Sequence, residues 1–221
     1  MKNRNILIVV LVAVLGIVVI SAYAICRSRD GEMMDDNKMM SSRLNSEISV
    51  QPDKMSADYK MMAAVSGEAY DRLFLANMIS HHQGAVDMAN LALKSAKLQE
   101  VKDLAKAIIA AQTTEIASMV SWQKTWGYPA SSGAAMMDHS AMGMEDTNMG
   151  MMNSLANKTG DTFDKAFLEQ MILHHQSAID MAASGGANAQ HQEVKDLTAA
   201  IITAQTKEIK EMKQWQISWG Y

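Results

Sequence analysis

Two paired histidines, His81-His82 and His174-His175, stand in nearly the same surroundings 93 residues apart. The first follows Phe74-Leu-Ala-Asn-Met78-Ile-Ser and precedes Gln83-Gly-Ala-Val-Asp87-Met88-Ala89. The second follows Phe167-Leu-Glu-Gln-Met171-Ile-Leu and precedes Gln176-Ser-Ala-Ile-Asp180-Met181-Ala182. Imidazole beside thioether is a donor set for a soft ion. Thioethers bind Cu(I) and its surrogate Ag(I) and have little affinity for zinc or harder divalent ions, whereas imidazole accepts either copper state. Further along each copy, Gln112, Glu115 and Met119 recur as Gln205, Glu208 and Met212. A carboxylate or amide on an otherwise apolar face is costly to bury unpaired. Its natural partner is the second nitrogen of a metal-bound histidine. The spacing therefore gives a candidate soft-metal site: His81, His82, Met78, Met88 and Met119, with His174, His175, Met171, Met181 and Met212, backed by Gln112, Glu115, Gln205 and Glu208.

The repeat that holds these residues is long. Residues 71–128 align with 164–221 without a gap, through Trp122/Trp215, Trp126/Trp219, Gly127/Gly220 and Tyr128/Tyr221, and more than half of the positions are identical. Scaffold positions drift within a chemical class, as Val86/Ile179 does, while the His-His-Gln core does not. Within each copy, Leu75, Met78, Ile79, His82, Val86 and Ala89 lie on one helical stripe. Phe74, His81 and Met88 fall within about 40° of one another on a neighbouring ridge. A first helix over 68–94 and a second from about 97 to 125 are expected, with the latter's counterpart from about 190 to 218. Gly185-Gly186 should end the first helix of the second copy after Ala183, and an equivalent break is expected near Leu93. Ser95 and Asn188 share one repeat position and are of types that cap helix N-termini. Gly127-Tyr128-Pro129 is a helix stop. Each copy is thus an αα-hairpin, and two such hairpins cover each other's apolar faces most economically as a four-helix bundle. The expected fold class is all-α.

The remaining chain divides into an N-terminal segment, 1–25, and two linkers, 26–65 and 129–160, leaving the hairpins at 66–128 and 161–221. Positive Lys2 and Arg4 precede the apolar run Ile6–Ile20, and Ala22-Tyr-Ala24 fits a signal-peptidase site. Uncut, the run reaches Ile25, about twenty residues, and could span a bilayer. Either outcome places the hairpins outside the cytoplasm, in the periplasm or on the extracellular face of the membrane, with membrane attachment if the segment is kept. Cys26 is the only cysteine, which excludes an internal disulfide. A net charge of −4 without a basic stripe gives no nucleic-acid signal. Methionine is the outlier at 21 of 221 residues. Its thioether needs no deprotonation, whereas thiols outside the cytoplasm are oxidised, so this composition suits copper handling there. The second linker holds Met136, Met137, His139, Met142 and Met144, then Met149, Met151 and Met152. With no evident core to fill, they are expected to form weaker thioether sites on a mobile segment.

The His-His-Gln-x-Ala-(Val/Ile)-Asp-Met-Ala core, with Glu-Val-Lys-Asp-Leu, Ile-Ile-x-Ala-Gln-Thr-x-Glu-Ile and Trp-Gly-Tyr blocks, resembles the DUF305 family over both repeats. That resemblance implies a ferritin-like four-helix bundle, copper binding and copper tolerance. It carries the signature onto His81, His82, His174 and His175 and onto Met78, Met88, Met171 and Met181. The expected role is non-enzymatic: Cu(I) is buffered, or passed to an efflux or acceptor protein. Two other readings stay open. A ferritin-like metal-dependent oxidoreductase would use Glu-x-x-His on its helices, and that pattern is absent from the chain. A metal-free helical interaction module would use methionine-rich surfaces for adaptable contacts.

Overall fold

The computed structural model describes residues 48–129 and 147–221. Their order is α1 (Ala57–Ala63), α2 (Glu68–Ser95), α3 (Gln99–Trp126), α4 (Thr147–Leu155), α5 (Gly160–Ala182), α6 (Gly185–Asn188) and α7 (Gln192–Trp219). The N-terminal segment 1–25, most of the first linker and Met136, Met137, His139, Met142 and Met144 lie outside the described residues. Among the described residues no helix is long and apolar enough to cross a membrane.

Helices α2 with α3 and α5 with α7 form two hairpins, and α2 packs on α5 between them. The chain is an all-α four-helix bundle. Tyr70 at the start of α2 donates its hydroxyl hydrogen to the Met181 carbonyl at the end of α5, 3.2 Å away. Farther along α2, the ring of His81 meets that of His174. Residue numbers rise on one helix as they fall on the other, so α2 and α5 run antiparallel about a pseudo-two-fold axis near these rings. The aromatic packing repeats under that axis: Tyr70 stacks on Phe74 with centroids 5.8 Å apart, and Phe163 on Phe167 at 6.0 Å.

The ends of the hairpins are tied reciprocally. Asp164, fully buried on α5, accepts the backbone N–H groups of Lys97 and Leu98 ahead of α3. Asp71, fully buried on α2, accepts those of Gln190 and His191 ahead of α7. Each second helix begins with N–H groups that have no partner of their own in the helix, and each is capped by the other hairpin. Ser95 and Asn188 are not the caps. Ser95 is the last residue of α2 and Asn188 the last of α6; Leu98 and His191 occupy the cap positions, and neither side chain bonds its own helix. At the far ends Gly127 and Gly220 take left-handed φ of 70° and 72°, and the N–H groups of Tyr128 and Tyr221 return to the carbonyls of Gln123 and Gln216. A residue with Cβ is strained there, which explains the repeated glycine.

Two further expectations need correction. Helix α2 runs on to Ser95 without a break near Leu93, because copy one has Ala92-Leu93 where copy two has Gly185-Gly186. Linker residues 147–155 are helical and packed. Asn148 of α4 approaches Gly84 on α2 and donates to the Ser80 carbonyl. Met151 and Leu155 are buried in the bundle core and Met152, partly buried, packs against it, so only Met149 of the three methionines is well exposed. Helix α1 mirrors this arrangement on the second hairpin, where Asp58 accepts the Ser177 hydroxyl at 2.6 Å. Each of these two helices therefore precedes one hairpin and packs mainly on the other.

Candidate metal centre

The histidines form a layer across the middle of the bundle. His81 and His174 face each other with ring centroids 3.6 Å apart and planes inclined by 35°. Each lies 6.3 Å from its sequence neighbour, His82 or His175. His82 and His175 are fully buried, and each places Nε2 2.6 Å from a glutamate Oε2, Glu115 and Glu208 respectively. An ionised carboxylate only accepts, so Nε2–H donates, and in a neutral imidazole Nδ1 then carries the lone pair. The same periodicity that makes the hairpins amphipathic thus turns one nitrogen of each outer histidine toward a glutamate on the partner helix. The other is left for a ligand.

Six imidazole nitrogens in this layer are buried without a hydrogen-bond partner: both of His81, both of His174, and Nδ1 of His82 and His175. Part of His81 reaches the surface, but neither ring nitrogen does. Burial, reinforced by the neighbouring histidines, holds His81 and His174 well below the usual histidine range. Both are neutral at neutral pH and keep a lone pair. Leaving buried polar groups unpaired costs about 1–3 kcal/mol each, which an ion binding at those lone pairs would offset.

The thioethers sit on either side of this layer. Met78, Met119 and Met181 belong to one apolar cluster with Tyr70, Phe74 and Leu75. Met88, Met171 and Met212 belong to a second, with Phe163, Phe167 and Leu168. Each cluster takes two of these methionines from one hairpin and one from the other. Five of the six are fully buried and Met181 is 4% exposed. Met78 and Met119 each stand one helical turn from the His82–Glu115 pair, in opposite chain directions, and Met171 and Met212 repeat this about His175–Glu208. Core packing alone accounts for the burial of these side chains. Among the described residues no three His, Cys, Asp or Glu side chains gather as a ready metal cage, so an ion here draws on thioethers or on movement of the imidazoles.

Gln112 and Gln205 depart from expectation. Neither bonds a histidine; each is 3% exposed with Oε1 buried and unpaired. They line a small cavity between α3 and α7 with Glu115 and Glu208. His191, which has no histidine counterpart in the first copy, is also a structural participant: Nδ1 lies 2.6 Å from the Asp71 carboxylate, and the ring stacks on Trp126 at 3.7 Å. The persistence of Asp71/Asp164 in both copies was the sequence signal for these end contacts.

The family model for DUF305, described as a domain of unknown function, matches residues 26–94 and 71–216. The chain belongs to the DUF305 family. Among solved structures it is similar to CopM in the Cu(I)-bound form, with 37% identity and TM-score 0.57, covering 67% of this chain and 96% of that one. It is also similar to CopM in the Ag-bound form obtained by co-crystallization, with 38% identity and TM-score 0.52, over 67% and 96% of the two chains. A DUF305 protein from Streptomyces coelicolor, described as a candidate secreted protein, has 25% identity and TM-score 0.59 over 66% and 91%. No curated protein sequence gives a significant match.

Proposed function

We propose that this chain is an extracytoplasmic copper-binding protein. It holds Cu(I), and Ag(I) in its place, at the histidine layer with buried thioethers as additional donors, and it buffers the ion or passes it to an efflux or acceptor protein. The carrying observation is the set of six buried, unpartnered imidazole nitrogens between two methionine-containing clusters. The CopM structures with Cu(I), Cu(II) and silver support the choice of metal. The resemblance to a candidate secreted protein supports export, as does the apolar segment 1–25, whether it is cleaved or retained as a membrane anchor. In this reading the chain works by ligand exchange: the imidazoles and thioethers need lose no proton, and the ion is bound without a change in covalent bonds.

Competition titration tests the reading. Cu(I) or Ag(I) should bind well above Zn(II) and Fe(II), because thioethers discriminate against the harder ions. Zinc competing as well as copper would remove the methionines from the donor set. His81→Ala with His82→Ala should leave helix content intact. It should remove at least half of the tight sites, and more if the contact between His81 and His174 makes the two pairs one site. Met136, Met137, His139, Met142 and Met144 would form a second, weaker and faster-exchanging population. Replacing 134–146 by a Gly/Ser spacer, which spares α4, should lower total capacity and leave the tightest affinity unchanged.

A further inference from the structure

The cavity between α3 and α7 lies on the pseudo-two-fold axis and is lined by one stripe from each helix. Ile108, Ala111, Gln112 and Glu115 come from α3, and their repeat counterparts Ile201, Ala204, Gln205 and Glu208 from α7. Its volume is about 20 Å³, room for a single water molecule or bare cation. The glutamines supply the unusual element. Their Oε1 atoms are buried with no partner, on side chains that line the cavity.

The two carboxylates bring charge to the same space. Glu115 and Glu208 are 25% and 24% exposed, and each commits Oε2 to a histidine. Oε1 of each remains available, and no lysine or arginine is among the lining residues. Two amide groups and two carboxylates thus line one cavity, and a half-turn of each amide about its Cγ–Cδ bond would offer an ion two amide oxygens beside two carboxylate oxygens. A water molecule has two hydrogens to donate and would satisfy two of these four acceptors. A dication can satisfy all four and balance both charges. Four protein oxygens, completed by water from the open side, are the donor set of Mg²⁺, Ca²⁺ or Mn²⁺.

We propose that Gln112, Glu115, Gln205 and Glu208 form a hard-divalent-cation site on the bundle axis, chemically separate from the imidazole and thioether donors. The carboxylates link the two: a cation in the cavity draws on the same glutamates that orient His82 and His175. Occupancy of one site therefore changes affinity at the other, and by the same factor in both directions.

Mn(II) is the probe, because its free-ion electron paramagnetic resonance signal falls on binding. The full chain should take up one Mn(II). Gln112→Leu with Gln205→Leu should weaken uptake about tenfold or more and leave Ag(I) capacity unchanged, with helix content checked by circular dichroism. Gln112→Glu adds a carboxylate and should tighten Mn(II) binding, which keeps a readout if the leucine variant does not fold. His81→Ala with His174→Ala should lower Ag(I) capacity and preserve Mn(II) binding. Failure of that silver result defeats the copper reading alone. The cation site is overturned if millimolar Mn(II) leaves the free-ion signal undiminished, or if neither glutamine variant changes its affinity.

Discussion

The two hairpins agree at the centre of the molecule and diverge at its ends. About the axis, His82–Glu115 and His175–Glu208 have the same 2.6 Å separation, and the same residue types line the α3/α7 cavity from both sides. At one end Asp71 accepts two backbone N–H groups, meets His191 and lies beneath the Trp126 stack. At the other, Asp164 caps Lys97 and Leu98, and no imidazole is present because Leu98 replaces histidine. Pairing around the axis requires both copies to keep the same groups, whereas each end can settle its packing independently. Identity between the copies therefore marks the shared centre and the two aspartate caps, and the divergence of Leu98 from His191 marks a local solution at one end.

That contrast is tested most severely at the caps. Asp71→Ala removes a buried carboxylate with three partners and should cost about 3–5 kcal/mol; Asp164→Ala, without the histidine contact, should cost about 2–3. Equal losses in urea denaturation would show that His191 adds nothing to its end.

Acid should act on the symmetric centre. His81 and His174 are depressed by burial and by the neighbouring histidines, so the unfolded chain binds protons that the folded chain refuses. Stability of the metal-free protein is then intact above about pH 6.5, the unfolded value. It is lost as pH falls toward the lower folded values, where the unfolded chain takes up protons that the buried rings refuse. Removing both rings should flatten denaturation midpoints measured between pH 6.5 and 5. An unchanged pH profile would place the sensitivity elsewhere.

A smaller effect is expected where the copies have traded volume. A Cβ on Gly185 would lie 2.4 Å from Thr198 Cγ2 and 2.7 Å from its Cβ; the first copy has alanine at both equivalent positions, Ala92 and Ala105. Gly185→Ala should cost about 1–3 kcal/mol by overpacking, and adding Thr198→Ala should recover most of it. A thermal-denaturation double-mutant cycle with additive losses would disprove the compensation. Smallest is Gly84→Ala, where the obstruction is the Asn148 side chain. Displacing it forfeits one partly buried hydrogen bond to Ser80, about 0.5–1.5 kcal/mol. Hydrogen exchange should show loosening of α4 with α2 unchanged.

Periodicity was enough to locate α2, α3 and α7 and to place the histidines on an inward face, because those helices are long and their apolar stripes are local features. The caps were not legible. Ser95 and Asn188 have suitable chemistry, but Asp164 and Asp71 arrive from the opposite hairpin, and nothing within either helix announces them. Helix α4 was equally hidden: Thr147-Asn-Met-Gly-Met-Met-Asn-Ser-Leu155 is a weak helix former, ordered by packing on α2 and α5. The methionines show where residue type runs out. Met78 and Met171 look alike as ligands and as core residues, and the structure buries both among aromatic side chains.

The crossed caps also bear on assembly. Asp71 holds the start of α7, Asp164 holds the start of α3, and α1 and α4 each pack mainly on the hairpin they do not precede. None of these contacts records whether the two hairpins share a covalent chain. Two molecules could exchange halves and satisfy every one of them, so a closed monomer is favoured only by the high local concentration that the tether provides. Refolding from urea at high protein concentration should therefore trap a metastable dimer, separable by gel filtration and relaxing to monomer on dilution. A monomer at every refolding concentration would mean that closure within one chain outruns encounter between two.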